Sequence, residues 1–343
     1  MSIRILYLGN ELANKGWSPS TIDTLAPLFR RDHQVRTYSS LVNQGIRFLH
    51  MAWGILVNSR WAEMILVDTY SGRALWYARM ATRMGRAFRI PVVLFLHGGE
   101  LPSRIRKQRG QMMRLGKRAT ALVAPSGYLK EAFEDLGYPV HLIPNYLDLD
   151  QYPLIERSVV RPNLLWVRAF QKLYNPDMAI EVVESIRRNH PDAAICMVGA
   201  DKDGSMERIR RQVIDMDLEE RVEITGRLPK EEWIRRSKDF DIFLNTTNAD
   251  NTPVSVMEAM ALGMIVISTN VGGVPYLIED GVDGLLVPPM DPEAMTQAIE
   301  KVLQDPQWPS TLSRNGRKKA ENWDWEKVKV QWESLFSRLI NAN

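Results

Sequence analysis

Short apolar runs alternate along this chain with longer stretches whose apolar residues recur every three or four positions. The runs 3–9 (IRILYLG), 62–68 (AEMILVD), 91–98 (PVVLFLHG), 121–126 (ALVAPS) and 140–145 (VHLIPN) predict buried strands closed by turn residues. Amphipathic segments at 20–31, 46–60, 72–88 and 126–136 predict the helices that connect them. A second series of strands falls at 163–169, 193–199, 222–226, 241–246, 264–269 and 284–288, with helical patterns at 176–189, 204–216, 230–237, 254–262 and 291–303. Strands separated by helices build βαβ units, and hence parallel sheets covered on both faces. The two series meet at a polar, proline-bearing join over 147–162. The predicted architecture is α/β: two Rossmann-like, doubly wound domains, 1–155 and 160–322, facing across a cleft. The segment 323–343 adds a helix with aromatics on its apolar side, expected to pack back across the domains. In open sheets of this kind ligands sit beyond the C-terminal strand ends.

Composition narrows the class. Of 343 residues 45% are apolar and 25% charged, as in a folded, soluble protein. The single cysteine, Cys196, lies in the apolar run AAICMVG, which excludes a disulfide framework or a cysteine zinc site and reads as a core thiol. No apolar run approaches the ~18 residues that span a bilayer, and the opening residues lack a signal-peptide pattern, so the expected compartment is the cytoplasm. The net charge of +3 is unevenly spread: residues 1–157 carry 21 Lys and Arg against 12 Asp and Glu, a balance of +9. Two stretches concentrate it. Residues 103–118 hold seven cations, and 73–89 hold five together with Trp76 and Tyr77. Such a face either is simply solvated or holds a protein against an anionic leaflet. No nucleic-acid-binding module accompanies the charge.

The most informative stretch is NTTNADNTPVSVMEAMALG, residues 245–263. A strand ends in a polar loop, Pro253 opens a helix, and the helix stops at Gly263. Amides at Val254 and Ser255, with the helix dipole behind them, suit an anion such as a phosphate. Glu258 lies one turn in, where a carboxylate can accept from two vicinal ribose hydroxyls. Asp250 stands eight residues earlier on the loop. Next come an apolar strand, Gly272-Gly273, and YLIEDGVDGLLVP.

This arrangement, over nearly forty residues, resembles the C-terminal signature of retaining glycosyltransferases of family four (glycosyl transferases group 1), which have the GT-B fold. Asp250 stands where that family usually has Glu. The resemblance implies that Asp250 meets the donor sugar, that Glu258 holds the ribose, and that Asn251, Thr252, Pro253, Val254 and Ser255 line the donor site. It further implies that Arg168 and Lys172, in LWVRAFQKLYNP, clamp the donor pyrophosphate, and that Gly226 and Arg227, in VEITGRLP, lie where the nucleobase is read. VVLFLHGGELP resembles the family strand ending in His-Gly, which places His97 near the donor sugar or the acceptor hydroxyl. Its plainer reading is a satisfied histidine at a strand end. GNELANKGWSPS resembles the first loop, with Gly16 near the diphosphate. His33, His50, His141 and His190 read as structural or surface residues.

Two other motifs fall away. Residues 148–150 (DLD) have the Asp-x-Asp form that binds metal in another glycosyltransferase fold, but they lie in the join rather than after a donor-site strand. Neither dinucleotide-binding nor P-loop glycine patterns occur. The implied activity is transfer of a sugar from a UDP- or GDP-linked donor, with retention of configuration, to a carbohydrate or lipid-linked acceptor in surface polysaccharide or glycolipid synthesis. It would run without metal or other cofactor, cationic groups meeting the charge of the departing diphosphate, while domain closure excludes water. The implied partners are the nucleotide-sugar, the acceptor and an anionic membrane surface, with no nucleic acid. A catalytically silent nucleotide-sugar-binding module and a GT-B epimerase remain alternatives.

Overall fold

In the computed structural model residues 2–17, 19–72, 75–157 and 159–341 are described, and among them two six-stranded sheets form. The first contains β1 (Arg4–Leu8), β2 (Gln34–Thr37), β3 (Met64–Thr69), β4 (Val92–Leu96), β5 (Ala121–Ala124) and β6 (Val140–Leu142), in the order β2-β1-β3-β4-β5-β6. Every pairing in it is parallel. The helices between are α1 (Thr21–Phe29), α2 (Gln44–Val57), α3 (Leu75–Phe88), α4 (Leu101–Lys107), α5 (Arg109–Gly116) and α6 (Gly127–Glu134). Central strands β3 and β4 are buried at every position, as strands covered by helices on both faces must be, and only Asp68 and Thr69 at the end of β3 interrupt the apolar runs.

The second sheet contains β7 (Asn163–Val167), β8 (Ala194–Val198), β9 (Val222–Gly226), β10 (Ile242–Asn245), β11 (Ile265–Thr269) and β12 (Leu285–Val287), in the order β12-β11-β10-β7-β8-β9. Its pairings are parallel as well. Its helices are α7 (Pro176–Ile186), α8 (Ser205–Asp215), α9 (Lys230–Arg236), α10 (Val254–Ala261), α11 (Pro292–Gln304) and α12 (Trp308–Ala320), followed by α13 (Trp325–Asn341). Cys196 is buried in β8, and burial pushes its thiol up to about 12, with Glu223 adding to the shift; it is an inert core residue.

Chain contacts divide the molecule into two units. One takes residues up to Pro144 together with those from Lys329 onward; the other is Asn145–Val328. The division falls before the 155/160 boundary read from the sequence because 145–152 is tied to the second unit. There Leu147 N donates to the Trp323 carbonyl at 2.7 Å, and the Tyr146 and Trp325 rings meet edge-on at 5.2 Å. Helix α13 begins in the second unit and continues from Lys329 in the first. Its Trp332 ring lies 5.6 Å from Phe29 and 5.1 Å from Phe95, in the core of the first unit. Ala342 and Asn343 lie outside the described residues, as does Arg73 of the stretch 73–89.

Four elements escape the apolar pattern. Strand β2 is an edge strand whose four positions alternate between exposed and half-buried, so it carries no buried run. Helices α4 and α5 occupy the stretch read only as basic, and α12 is dominated by polar residues. No described helix is long and apolar enough to cross a membrane.

Candidate active site

In the second unit the C-terminal ends of β7 and β10 bring a cation to a helix N-terminus. Arg168 follows β7, its amide bonded to the Val198 carbonyl at 3.0 Å. Across from it, a Cβ on Gly199 would lie 1.7 Å from the Arg168 carbonyl oxygen, so only glycine allows the two strand ends to approach this closely. The guanidinium lies 4.3 Å over the Tyr174 ring, and its Nη2 contacts the Asp250 carboxylate. Its Nε is buried with no hydrogen-bond partner. Burial pulls the Arg168 pKa down, opposed by Tyr174 and Glu258.

The polar run after β10 is a brace. Thr246 accepts from Trp166 Nε1 at 3.0 Å and donates to the Tyr174 carbonyl at 2.8 Å. Thr269 Oγ1 donates to the Thr247 carbonyl at 2.5 Å, and Asn248 N to the Leu173 carbonyl at 2.8 Å. Paired in this way, the polar groups can be buried at the sheet edge, and they fix the loop that carries Asp250. Gly272 and Gly273 press on the same loop. A Cβ on Gly272 would lie 2.1 Å from the Asp250 carbonyl oxygen, and one on Gly273 would lie 1.8 Å from that of Asn251. Gly273 N donates to the Asp250 carbonyl at 3.0 Å.

Helix α10 begins at Val254, where the pattern 254–262 puts it, with Pro253 as its cap residue in place of the first helical residue and no side chain capping it. The Val254 and Ser255 amides stand outside the helix's own bond ladder. Around them the Thr252 and Ser255 hydroxyls are buried without partners, although both are near the buried Arg168 loop partner Asp250 in sequence. Unpaired buried donors on a native framework imply a missing acceptor. One cation, two hydroxyls and the open end of a helix dipole make a cradle for a multiply charged anion.

Glu258 is buried one turn into α10. Its Oε1 accepts from the Tyr152 hydroxyl at 2.7 Å and meets Lys230 Nζ at 2.9 Å. Burial and the Glu258 carboxylate raise the Tyr152 pKa far above the tyrosine range, so its hydroxyl stays a donor at every physiological pH. Tyr152→Phe removes that donor and leaves Lys230; it is expected to cost roughly 1–3 kcal/mol, read as a lower unfolding midpoint in denaturant.

The structure thus groups Arg168, Asp250, Asn251, Thr252, Pro253, Val254, Ser255 and Glu258. Lys172 is exposed beside this loop: its carbonyl accepts from Asn248 Nδ2 at 3.3 Å, its amide donates to Asp203 Oδ2 at 3.0 Å, and its charge helps hold the Asp203 carboxyl below the usual range, behind the larger effects of the Ser205 hydroxyl and the Lys172 amide. Gly226 ends β9 with φ 72° and accepts from Gly199 N at 2.9 Å, while Arg227 is exposed. Tyr152, Tyr174 and Lys230 escaped the sequence reading. Each reaches the site only through the fold, and the one local signal was the position of Lys230 opening a helix directly after the GRLP loop.

Gly16 and His97 belong to the first unit. Gly16 is exposed and closes a short turn with φ 82°. His97 follows β4. Its Nε2 lies 3.2 Å from Asp68 Oδ1, its ring stacks on Tyr70 at 5.2 Å, and it meets Phe95 edge-on at 4.0 Å. Asp68 is buried and also accepts from the Tyr7 hydroxyl at 2.8 Å and the Ile22 amide at 3.2 Å. One imidazole nitrogen is therefore satisfied within the fold. Among the described residues no three His, Cys, Asp or Glu side chains gather as a metal site. Of the 148–150 motif, Asp148 instead accepts from Gln151 Nε2 at 2.8 Å.

Two parallel six-stranded sheets wrapped by helices are the architecture of the GT-B glycosyltransferases. Residues 1–151 match the family model described as Glycosyltransferase Family 4, and residues 158–319 match Glycosyl transferases group 1. The chain belongs to this glycosyltransferase family. It is 26% identical over 297 residues to a GDP-mannose-dependent alpha-(1-6)-phosphatidylinositol monomannoside mannosyltransferase of Mycolicibacterium smegmatis, covering 80% of this chain and 77% of that one. It is 25% identical over 264 residues to WcaL of Salmonella typhimurium, named provisionally as a colanic acid biosynthesis glycosyltransferase, with 72% of this chain and 64% of that one covered. Against several other curated relatives it spans less than half of their length. Among solved structures, Anabaena HepE in complex with UDP superimposes with TM-score 0.77 at 18% identity, over 98% of this chain and all of that one, a likeness of fold.

Proposed function

We propose that this protein transfers a sugar from a UDP- or GDP-linked donor to a carbohydrate or lipid-linked acceptor, with retention at the anomeric carbon and without a metal ion, in surface polysaccharide or glycolipid synthesis. The carrying observation is the cradle: the unpaired Arg168 Nε, the Thr252 and Ser255 hydroxyls, and the uncapped start of α10. A diphosphate supplies the acceptors that these donors lack. As the bond from the anomeric carbon to the diphosphate breaks, charge grows on phosphate oxygens, and fixed donors stabilise it most in the transition state. The acceptor oxygen forms the new bond on the face the diphosphate leaves, and its proton passes to a phosphate oxygen. Glu258, held from one side by Tyr152 and Lys230, accepts from the ribose hydroxyls. The mannosyltransferase and WcaL relatives supply the glycolipid and polysaccharide contexts.

The basic stretches 73–89 and 103–118 fit a protein working at the cytoplasmic, anionic face of a membrane, where a lipid-linked acceptor would be presented. The test is a panel of UDP- and GDP-sugars, read first by thermal shift and then by diphosphate release in EDTA. One donor is expected to raise the melting temperature, by an amount that grows with the logarithm of its concentration over Kd, and to turn over with EDTA present, giving a product of unchanged anomeric configuration. Binding without turnover across varied acceptors would make the chain a silent binding module. Activity restored only by a divalent ion would refute metal independence.

A further inference from the structure

Helix α2 has no polar face. Its sequence, QGIRFLHMAWGILV, carries one permanent charge, and that one is spent inside the fold: Arg47 is buried, its guanidinium donating to the Leu41 carbonyl at 2.5 Å and the Val42 carbonyl at 2.8 Å, with Asn10 as a third partner. Met51, Gly54 and Ile55 pack inward. The opposite side should then be polar in a helix lying on a soluble domain. Instead Ile46, Leu49, Trp53, Leu56 and Val57 face solvent, each between 46% and 65% exposed. At about 100° per residue these five fall within an arc of roughly 100°, a continuous outward ridge. Leu41 and Val42, just before the helix, are exposed as well. Single exposed apolar residues need no explanation, but a contiguous ridge does.

The ridge has two neighbours. An apolar cavity of about 470 Å³ is lined by Gln44, Gly45, Phe48, Trp76 and Tyr77, from the start of α2 and of α3. Beyond Trp76, 62% exposed, begins a cluster of arginines: Arg79 lies 5.9 Å over the Trp76 ring, and Arg104, Arg83 and Arg114 are close enough to depress its pKa, after burial itself. Among the described residues no carboxylate pairs with any of these four. An apolar ridge, a tryptophan at the boundary and an unneutralised cationic cluster together match the layers of an anionic lipid surface, hydrocarbon beneath and phosphate above. A second copy would cover the ridge but offers no phosphate to the arginine cluster beside it, whereas an anionic leaflet meets both.

We propose that α2 and the adjoining face of α3 dock this protein on an anionic bilayer, with the Ile46–Val57 ridge entering the acyl boundary and the arginines contacting headgroup phosphates. The proposal deepens the lipid-linked reading of the acceptor, yet it is tested without any sugar. The full chain is sedimented with phosphatidylcholine vesicles and with vesicles containing 30% (about one lipid in three) phosphatidylglycerol, at low and high salt. The expected result is binding at least ~10-fold tighter to the anionic vesicles, weakened by salt. The triple variant L49S/W53S/L56S should lose binding at least ~10-fold with an unchanged melting temperature, whereas R83Q/R104Q/R114Q should lose only the preference for phosphatidylglycerol. No pelleting of the wild type overturns the proposal, as does full binding by the folded triple variant. Should the lipid-free protein instead be a dimer that the triple variant makes monomeric, the ridge belongs to a second copy. Failure of the donor panel would leave every one of these readings intact.

Discussion

Arg168→Ala is expected to lower kcat/KM by about 10³-fold, the upper end for removal of one fixed donor from a site of developing charge. The size follows from position. Arg168 is the permanent cation buried at the start of the α10 cradle, and its removal also leaves the Asp250 carboxylate facing the space where the diphosphate is proposed to lie. The variant therefore loses an attraction and gains a repulsion. Much of the loss should appear in kcat, because the charge being met grows as the leaving group departs. Arg168→Lys keeps the charge but loses the planar fork that lies over Tyr174 and touches Asp250, so it should recover only part of the rate. Steady-state kinetics with the donor found by thermal shift would check both. Unchanged turnover in Arg168→Ala would place the leaving group elsewhere.

The second large effect is expected at a residue with no chemistry. Gly273→Ala adds a methyl group 1.8 Å from the Asn251 carbonyl oxygen, and the atom it meets is backbone, which cannot rotate away. The loop 250–252 must shift, and it carries Asp250 and the Thr252 hydroxyl. Displacement of a site by about 1 Å costs roughly 10²-fold in rate, and forced repacking adds roughly 1–3 kcal/mol of destabilisation. The two readouts, kcat/KM and melting temperature, should fall together. Neighbouring Gly272 carries a further constraint, with φ 54° as well as its 2.1 Å approach to Asp250. A fully active, fully stable Gly273→Ala would mean that the loop is free to adjust.

Much of this site was legible because its signals are local. Pro253, the α10 start, Glu258 and Gly272-Gly273 all fall within residues 253–273, and at Pro253 and the two glycines backbone geometry leaves a residue-type imprint. Arg168 was legible only through the resemblance of LWVRAFQKLYNP to the family's Arg…Lys segment. Tyr174 shows where such reading stops: the resemblance pairs Lys172 with Arg168, but nothing in it foretells that the short turn at 172–174 brings the Tyr174 ring under the guanidinium. The partners of Glu258 lie 106 residues before it and 28 residues before it, and no pattern at such separations foretells a hydrogen bond. The same holds for Asp68, which could not be linked to His97 before β3 and β4 were known to be neighbours. The fold was clear where runs were wholly apolar. It was obscure at β2, α4, α5 and α12, whose segments are half-wet or rich in cations.

The shared terminal helix has a bearing on how the polypeptide matures at the ribosome. Trp332 and Phe336 complete an aromatic nest around Phe29, at 5.6 Å and 5.4 Å, and Glu333 reaches His33 at 2.7 Å. The first unit's sheet therefore waits for side chains translated 300 positions after His33. Until they emerge its nest stays open, and chaperones have a hydrophobic target whose lifetime is set by the synthesis of the whole intervening unit.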